Sequence, residues 1–155
     1  MAMDHRQDAL DAFSNRIHCS QAVLAAFSQE CGITREQALK LGSCFGSGMR
    51  KGQTCGACTG ALMVLGLMYG FTEGGSPEKL RADRVNDMMM ERFAKSCGSC
   101  LCNDILGCDI STADGVRYAL DNRLFTELCP KMVSNAVEIL EGIIEEMENA
   151  ESPSI

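Results

Sequence analysis

Histidine is scarce in this sequence, and with it most of the chemistry that histidine supports. There are two, His5 and His18, and no Cys-x-x-Cys-His run. That excludes covalently attached c-type haem and leaves too few histidines for a Cys2His2 zinc finger. No apolar run reaches the roughly 18 residues that a bilayer span requires, so no membrane partner is expected. The opening residues Met-Ala-Met-Asp-His-Arg-Gln-Asp hold no apolar stretch of signal-peptide type, which predicts a cytoplasmic protein. Basic charge is also short: 14 Lys and Arg stand against 21 Asp and Glu, for a net charge of -7. Nucleic acid is therefore not an expected partner, because phosphate contacts need clustered cations. The run Gly46-Ser47-Gly48-Met49-Arg50-Lys51-Gly52 lacks the Walker pattern and a preceding strand. No segment alternates with period two, so no strands are predicted. No fixed-period repeat or linker divides the chain. The expectation is one helical domain over residues 1–150, with a disordered tail at 151–155.

Cysteine is abundant instead, with ten in 155 residues, alongside 15 glycines and 46% hydrophobic residues. In a reducing compartment a disulfide framework is not expected. Metal ligation, an iron–sulfur cluster or thiol redox chemistry are the alternatives. About half of the ten cysteines read as small buried hydrophobes with no further role.

Helical periodicity organises the rest. Leu10, Phe13, Ile17, Leu24 and Phe27 form one stripe, predicting a long helix over about 5–30 that carries Cys19 in its middle. Thr34-Arg35-Glu36-Gln37 is a capping box for a short helix stopped by Gly42. A glycine-rich loop leads to Thr54, a good N-cap for a helix over about 55–69. Ser76-Pro77-Glu78 starts another that runs to about Lys95. Cys97 to Cys102 read as a loop, and Asn103 to Cys108 as a single turn. Ser111 to Asp114 open a short helix, and Pro130 marks the start of the last, which runs to about Asn149. The fold class is all-α: five or six helices in an irregular bundle. The wide apolar face of the last helix predicts a homodimer.

Cys55 and Cys58 lie at a helix start, where the dipole favours thiolate over thiol. They are candidates for a catalytic dithiol, although the intervening Gly-Ala is not a usual redox pair. Cys129 also sits at a helix start. Cys44 lies in the glycine loop as a further candidate cofactor ligand. Cys97, Cys100, Cys102 and Cys108 are dense, but their spacing does not match a ferredoxin run. One or two of them would join cysteines from elsewhere, Cys102 first among them. Cys31, before a helix-ending glycine, reads as packing. Arg50 and Lys51 read as solvated surface.

His18-Cys19-Ser20-Gln21-Ala22-Val23-Leu24, Phe45-Gly46-Ser47-Gly48-Met49, Thr54-Cys55-Gly56-Ala57-Cys58-Thr59-Gly60-Ala61-Leu62, Cys102-Asn103-Asp104-Ile105-Leu106-Gly107 and Cys129 together resemble the redox-active C_GCAxxG_C_C proteins. Those are small helical proteins, chiefly of anaerobic bacteria and archaea, to which the N-terminal part of split-Soret cytochrome c is similar. The resemblance implies a site made of Cys19, Cys55, Cys102 and Cys129. Ser43 to Gly48 matches the family's Gly-Cys-Ala-x-x-Gly element only at Cys44 and Gly48, and Cys55 to Gly60 matches it with the first two residues exchanged. Cys58, Cys97, Cys100 and Cys108 are extras beyond the pattern. The expected function is electron transfer through an iron–sulfur cluster on Cys19, Cys55, Cys102 and Cys129, with an unknown redox partner protein. A metal-free thiol–disulfide oxidoreductase attacking through Cys55 is the first alternative. A structural zinc or helical interaction protein is the second.

Overall fold

The first helical stripe breaks in two. α1 spans His5–Ser14 and α2 spans Cys19–Ala26, with Arg16 between them in the left-handed region at φ 65°. The reason lies in Gln21, whose side-chain oxygen accepts from the His18 backbone N–H at 2.9 Å and so opens a new helix. Cys19 is therefore the first residue of α2, not a mid-helix residue of one long element. The computed structural model describes residues 4–151. The expected tail at 151–155 falls outside them, apart from Glu151, which is helical.

α3 (Arg35–Gly42) has the predicted capping box in both directions. Thr34 Oγ1 accepts from the Gln37 N–H at 3.0 Å, and the Thr34 N–H donates to Gln37 Oε1 at 2.9 Å. The glycine-rich loop then forms a tight left-handed turn. Ser47, Met49 and Arg50 have φ between 55° and 61°, a conformation that costs non-glycine residues roughly 1–2 kcal/mol each. α4 (Gly56–Tyr69) follows, with Cys55 as its N-cap; Thr54 instead forms an isolated antiparallel bridge with Leu101. α5 runs Pro77–Cys97, with proline in its first turn and Gly98 at φ 87° closing it. Cys97 thus belongs to the helix and not to the loop.

α6 (Cys102–Leu106) is the predicted single turn, and α7 (Ala113–Asp121) starts at Thr112, whose hydroxyl accepts from the Gly115 N–H. α8 (Leu124–Glu127) is a short helix with no sequence signal strong enough to foresee it. α9 spans Cys129–Glu151. Among the described residues there are nine α-helices, more than the five or six expected, and no strands. The class is all-α.

The main core joins α1, α2, α4, α5 and α9 through Ala9, Val23, Leu24, Phe27, Val64, Leu65, Met89, Phe93, Val133, Val137 and Leu140, all buried. Each such side chain larger than alanine contributes about 1.5–3 kcal/mol relative to exposure. The apolar face of α9 is spent here, against its own chain, while Glu138, Glu141, Glu145 and Glu148 face outward. A smaller apolar cluster of Cys102, Leu106, Ile110 and Ala119 lies beside the main core. His5 ties three parts together: it stacks on Phe27 and hydrogen-bonds Glu30 at 2.6 Å and Glu141 at 3.2 Å.

Candidate functional site: four thiols around one cavity

Cys19, Cys55, Cys102 and Cys129 line a single cavity of about 680 Å³. Each sits at a helix start. Cys19, Cys102 and Cys129 are the first residues of α2, α6 and α9, and Cys55 is the N-cap of α4. Three of these helices, with 8, 14 and 23 residues, are long enough to aim a developed dipole at the cavity. The remaining walls are largely apolar, with Leu10, Phe13, Ile17, Phe125 and Met132, and Arg16 and His18 also line them.

Local backbone pairing sets the positions. The Cys55 N–H donates to the Cys100 carbonyl at 2.8 Å and the Cys102 N–H to the Gln53 carbonyl at 2.7 Å. This two-bond ladder holds the segments carrying Cys55 and Cys102 side by side. On the other wall, α2 and α4 meet at glycines. A Cβ on Gly56 would lie 2.5 Å from Cys19 Sγ, and one on Gly60 would lie 2.7 Å from the Ser20 carbonyl. Only glycine lets the start of α2 approach α4 this closely. The buried Ser20 hydroxyl donates to the Gly42 carbonyl at 2.7 Å, which fixes the same end of α2 from behind.

The four thiols are electrostatically unequal. Cys19 is pulled down to about 7. The Cys55 S–H donates to it, outweighing burial, and the backbone N–H groups of Ser47, Ser20 and Ala57 add to the effect. Cys55, as that donor, is held well above the usual thiol range, and burial adds to its shift. Burial pushes Cys102 and Cys129 up to about 12, helped by neighbouring thiolate charge. The helix-start argument anticipated a thiolate at Cys55; the structure places it at Cys19. At Cys55 the dipole is outweighed by burial and by the sulfur it serves.

Two sequence candidates lie elsewhere. Cys44 is exposed in the turn after α3 and does not line the cavity. Cys58 is completely buried but faces Cys100, Cys97 and Met90. It does not line the cavity that Cys55 lines. Cys55, at ψ 132°, is not yet helical, so the three-residue spacing does not amount to one helical turn between the two residues. Cys31 is a half-buried packing residue near the Val64 carbonyl, and Cys108 lies near Cys102 outside the cavity lining. Arg50 and Lys51 face a second hollow of about 670 Å³, which shares Ser47 and Phe125 with the thiol cavity.

Among the described residues, no three His, Cys, Asp or Glu side chains converge to hold one metal ion. A structural zinc site needs four ligands at about 2.0–2.3 Å from one point, so it finds no preformed place. The four cavity thiols line a common space and do not meet at one point. Among the described residues, no helix is long and apolar enough to cross a membrane. No curated protein and no solved structure matches the chain. A family model described as "Putative redox-active protein (C_GCAxxG_C_C)" matches residues 17–143, and the chain belongs to that family.

Proposed function

We propose that the cavity of Cys19, Cys55, Cys102 and Cys129 is the working centre of an electron carrier and holds an iron–sulfur cluster on these four thiolates. One observation carries this reading: four thiols, each at the start of a different helix, line one cavity. Such an arrangement favours a thiolate-ligated group of net negative charge over an isolated cation. When bound, a cluster of this kind supplies one-electron transfer. The chain's own contribution is to hold and charge the ligands. The Cys19 thiol is already pulled down by the Cys55 S–H and, less strongly, by backbone N–H groups of Ser47, Ser20 and Ala57. Burial holds protons on Cys102 and Cys129, so loading must release them and should weaken as pH falls. Apolar walls limit water around the centre and thereby tune its potential.

The test is anaerobic reconstitution with ferrous iron and sulfide, followed by iron and sulfide assays and a visible spectrum. The expected product is brown, bleaches with dithionite, and loses most of its iron in Cys102→Ser or Cys129→Ser. Full iron binding by single Ser variants at Cys55, Cys102 and Cys129 would overturn it.

The Cys19–Cys55 contact favours one other reading, a metal-free dithiol. In it the Cys19 thiolate attacks a substrate disulfide, and Cys55 then displaces the substrate thiol. The two cysteine sulfurs become a disulfide and the substrate leaves as two thiols. A colourless, iron-free protein that forms a reversible Cys19–Cys55 disulfide would select this reading. Cys19 would then be the attacking residue, in place of the expected Cys55.

A further inference from the structure

Three cysteines outside the cavity gather behind it. Cys58, in the first turn of α4, is fully buried. Its sulfur lies 3.6 Å from Met90 Sδ, and its S–H also reaches the Cys100 sulfur. Cys100 follows α5, is half-buried, and its thiol donates to the Met90 carbonyl at 3.3 Å. Cys97, at the end of α5, is held from the other side, where the Asn135 amide donates to its sulfur at 3.6 Å. Met90 thus anchors both Cys58 and Cys100, while Asn135 engages Cys97. These groups do not converge as a metal site. The geometry favours pairwise sulfur chemistry.

We propose that Cys58 and Cys100 form a reversible disulfide, a second redox pair behind the four-thiol centre. The co-reactant is a small disulfide. Cys100, the more accessible of the two, attacks one of its sulfurs and expels one small thiol, leaving a mixed disulfide on Cys100. Cys58 then attacks the Cys100 sulfur and expels the second thiol. The pair loses two electrons and two protons, and the small disulfide gains both. The Cys100 carbonyl accepts the Cys55 N–H at 2.8 Å, so a shift of Cys100 on bonding would reach a ligand of the main centre directly. The pair itself does not depend on what that centre holds.

The experiment is oxidation of the fully reduced, full-length protein with oxidised glutathione, alkylation of the remaining thiols, and tandem mass spectrometry. The expected result is a cross-link between the peptides carrying Cys58 and Cys100, with loss of two hydrogens at that pair whether or not Cys19 and Cys55 also oxidise. In Cys58→Ala the expected product is a stable glutathione adduct on Cys100, and in Cys100→Ser neither cross-link nor adduct forms at these positions. A wild-type cross-link between Cys97 and Cys100 would overturn the proposal. So would a persistent adduct on Cys100 with Cys58 alkylated. If both variants fail to fold, the wild-type map alone still decides, because it shows directly whether the Cys58–Cys100 link forms.

Discussion

A thiol in an apolar cavity ordinarily keeps its proton, and Cys102 and Cys129 follow that rule. Cys19 does not, because a neighbouring S–H and three backbone N–H groups are directed at its sulfur. In the reduced, metal-free protein, Cys19 should react with iodoacetamide along a pH profile with its midpoint near 7. Cys102 and Cys129 should stay unreactive until far higher pH. Cys55→Ala removes the strongest stabiliser of the Cys19 thiolate and should move that midpoint up. Peptide-resolved alkylation checks both statements. A profile in which Cys55 reacts first would reverse the assignment.

At the scale of elements, the contact between α2 and α4 decides where Cys19 sits. Gly56 and Gly66 belong to the same helix and differ only in surroundings. A Cβ at Gly56 would meet Cys19 Sγ at 2.5 Å and the Phe45 carbonyl at 2.9 Å, whereas one at Gly66 would meet nothing within 4 Å. Gly56→Ala should therefore cost about 1–3 kcal/mol through overpacking and shift the Cys19 pH profile. Gly66→Ala should gain about 0.5–1 kcal/mol from helix propensity and leave the profile alone. Thermal unfolding of the two variants beside wild type, with the alkylation profile of each, separates the packing effect from propensity. The site was legible at this scale where a helix start has a strong signal, as at Pro130 after Cys129. It was not legible at His18, where the mark of a helix start is only a glutamine three residues on. Read as one long helix, residues 5–30 put Cys19 in mid-helix; read with that capping interaction, they put it at a terminus.

For the whole molecule, the balance of thiols sets the response to pH. Cys19 has its folded value depressed, so its contribution is present above the unfolded value, near 8.5–9, and is lost as pH falls through about 7. Cys31 is raised to about 11, and Cys58, Cys102 and Cys129 to about 12. Between the unfolded value and those values, the folded chain holds more protons than the unfolded one, so stability falls as pH rises. Each such thiol steepens the fall by about 1.4 kcal/mol per pH unit. Denaturant unfolding of the reduced, metal-free protein should show a modest gain between pH 7 and 8.5 and a steep loss above 9. A flat profile through pH 10 would contradict the burial of these thiols.

Composition and periodicity alone determined the helical class and most helix positions, because the 3.6-residue stripe, capping boxes and proline and glycine stops act locally. The sequence also marked Cys19, Cys55, Cys102 and Cys129 as a set, through their resemblance to a family pattern. It could not show that Cys44 and Cys58 lie outside the cavity that Cys55 lines, or place Cys100 behind that cavity while Cys102, two residues on, lines it. Those outcomes depend on how α2, α4, α5, α6 and α9 meet. A cysteine's partners and its pKa follow from burial, from the direction in which its side chain leaves the backbone, and from N–H groups contributed by distant segments. None of these quantities is local, and only the tertiary structure decides them.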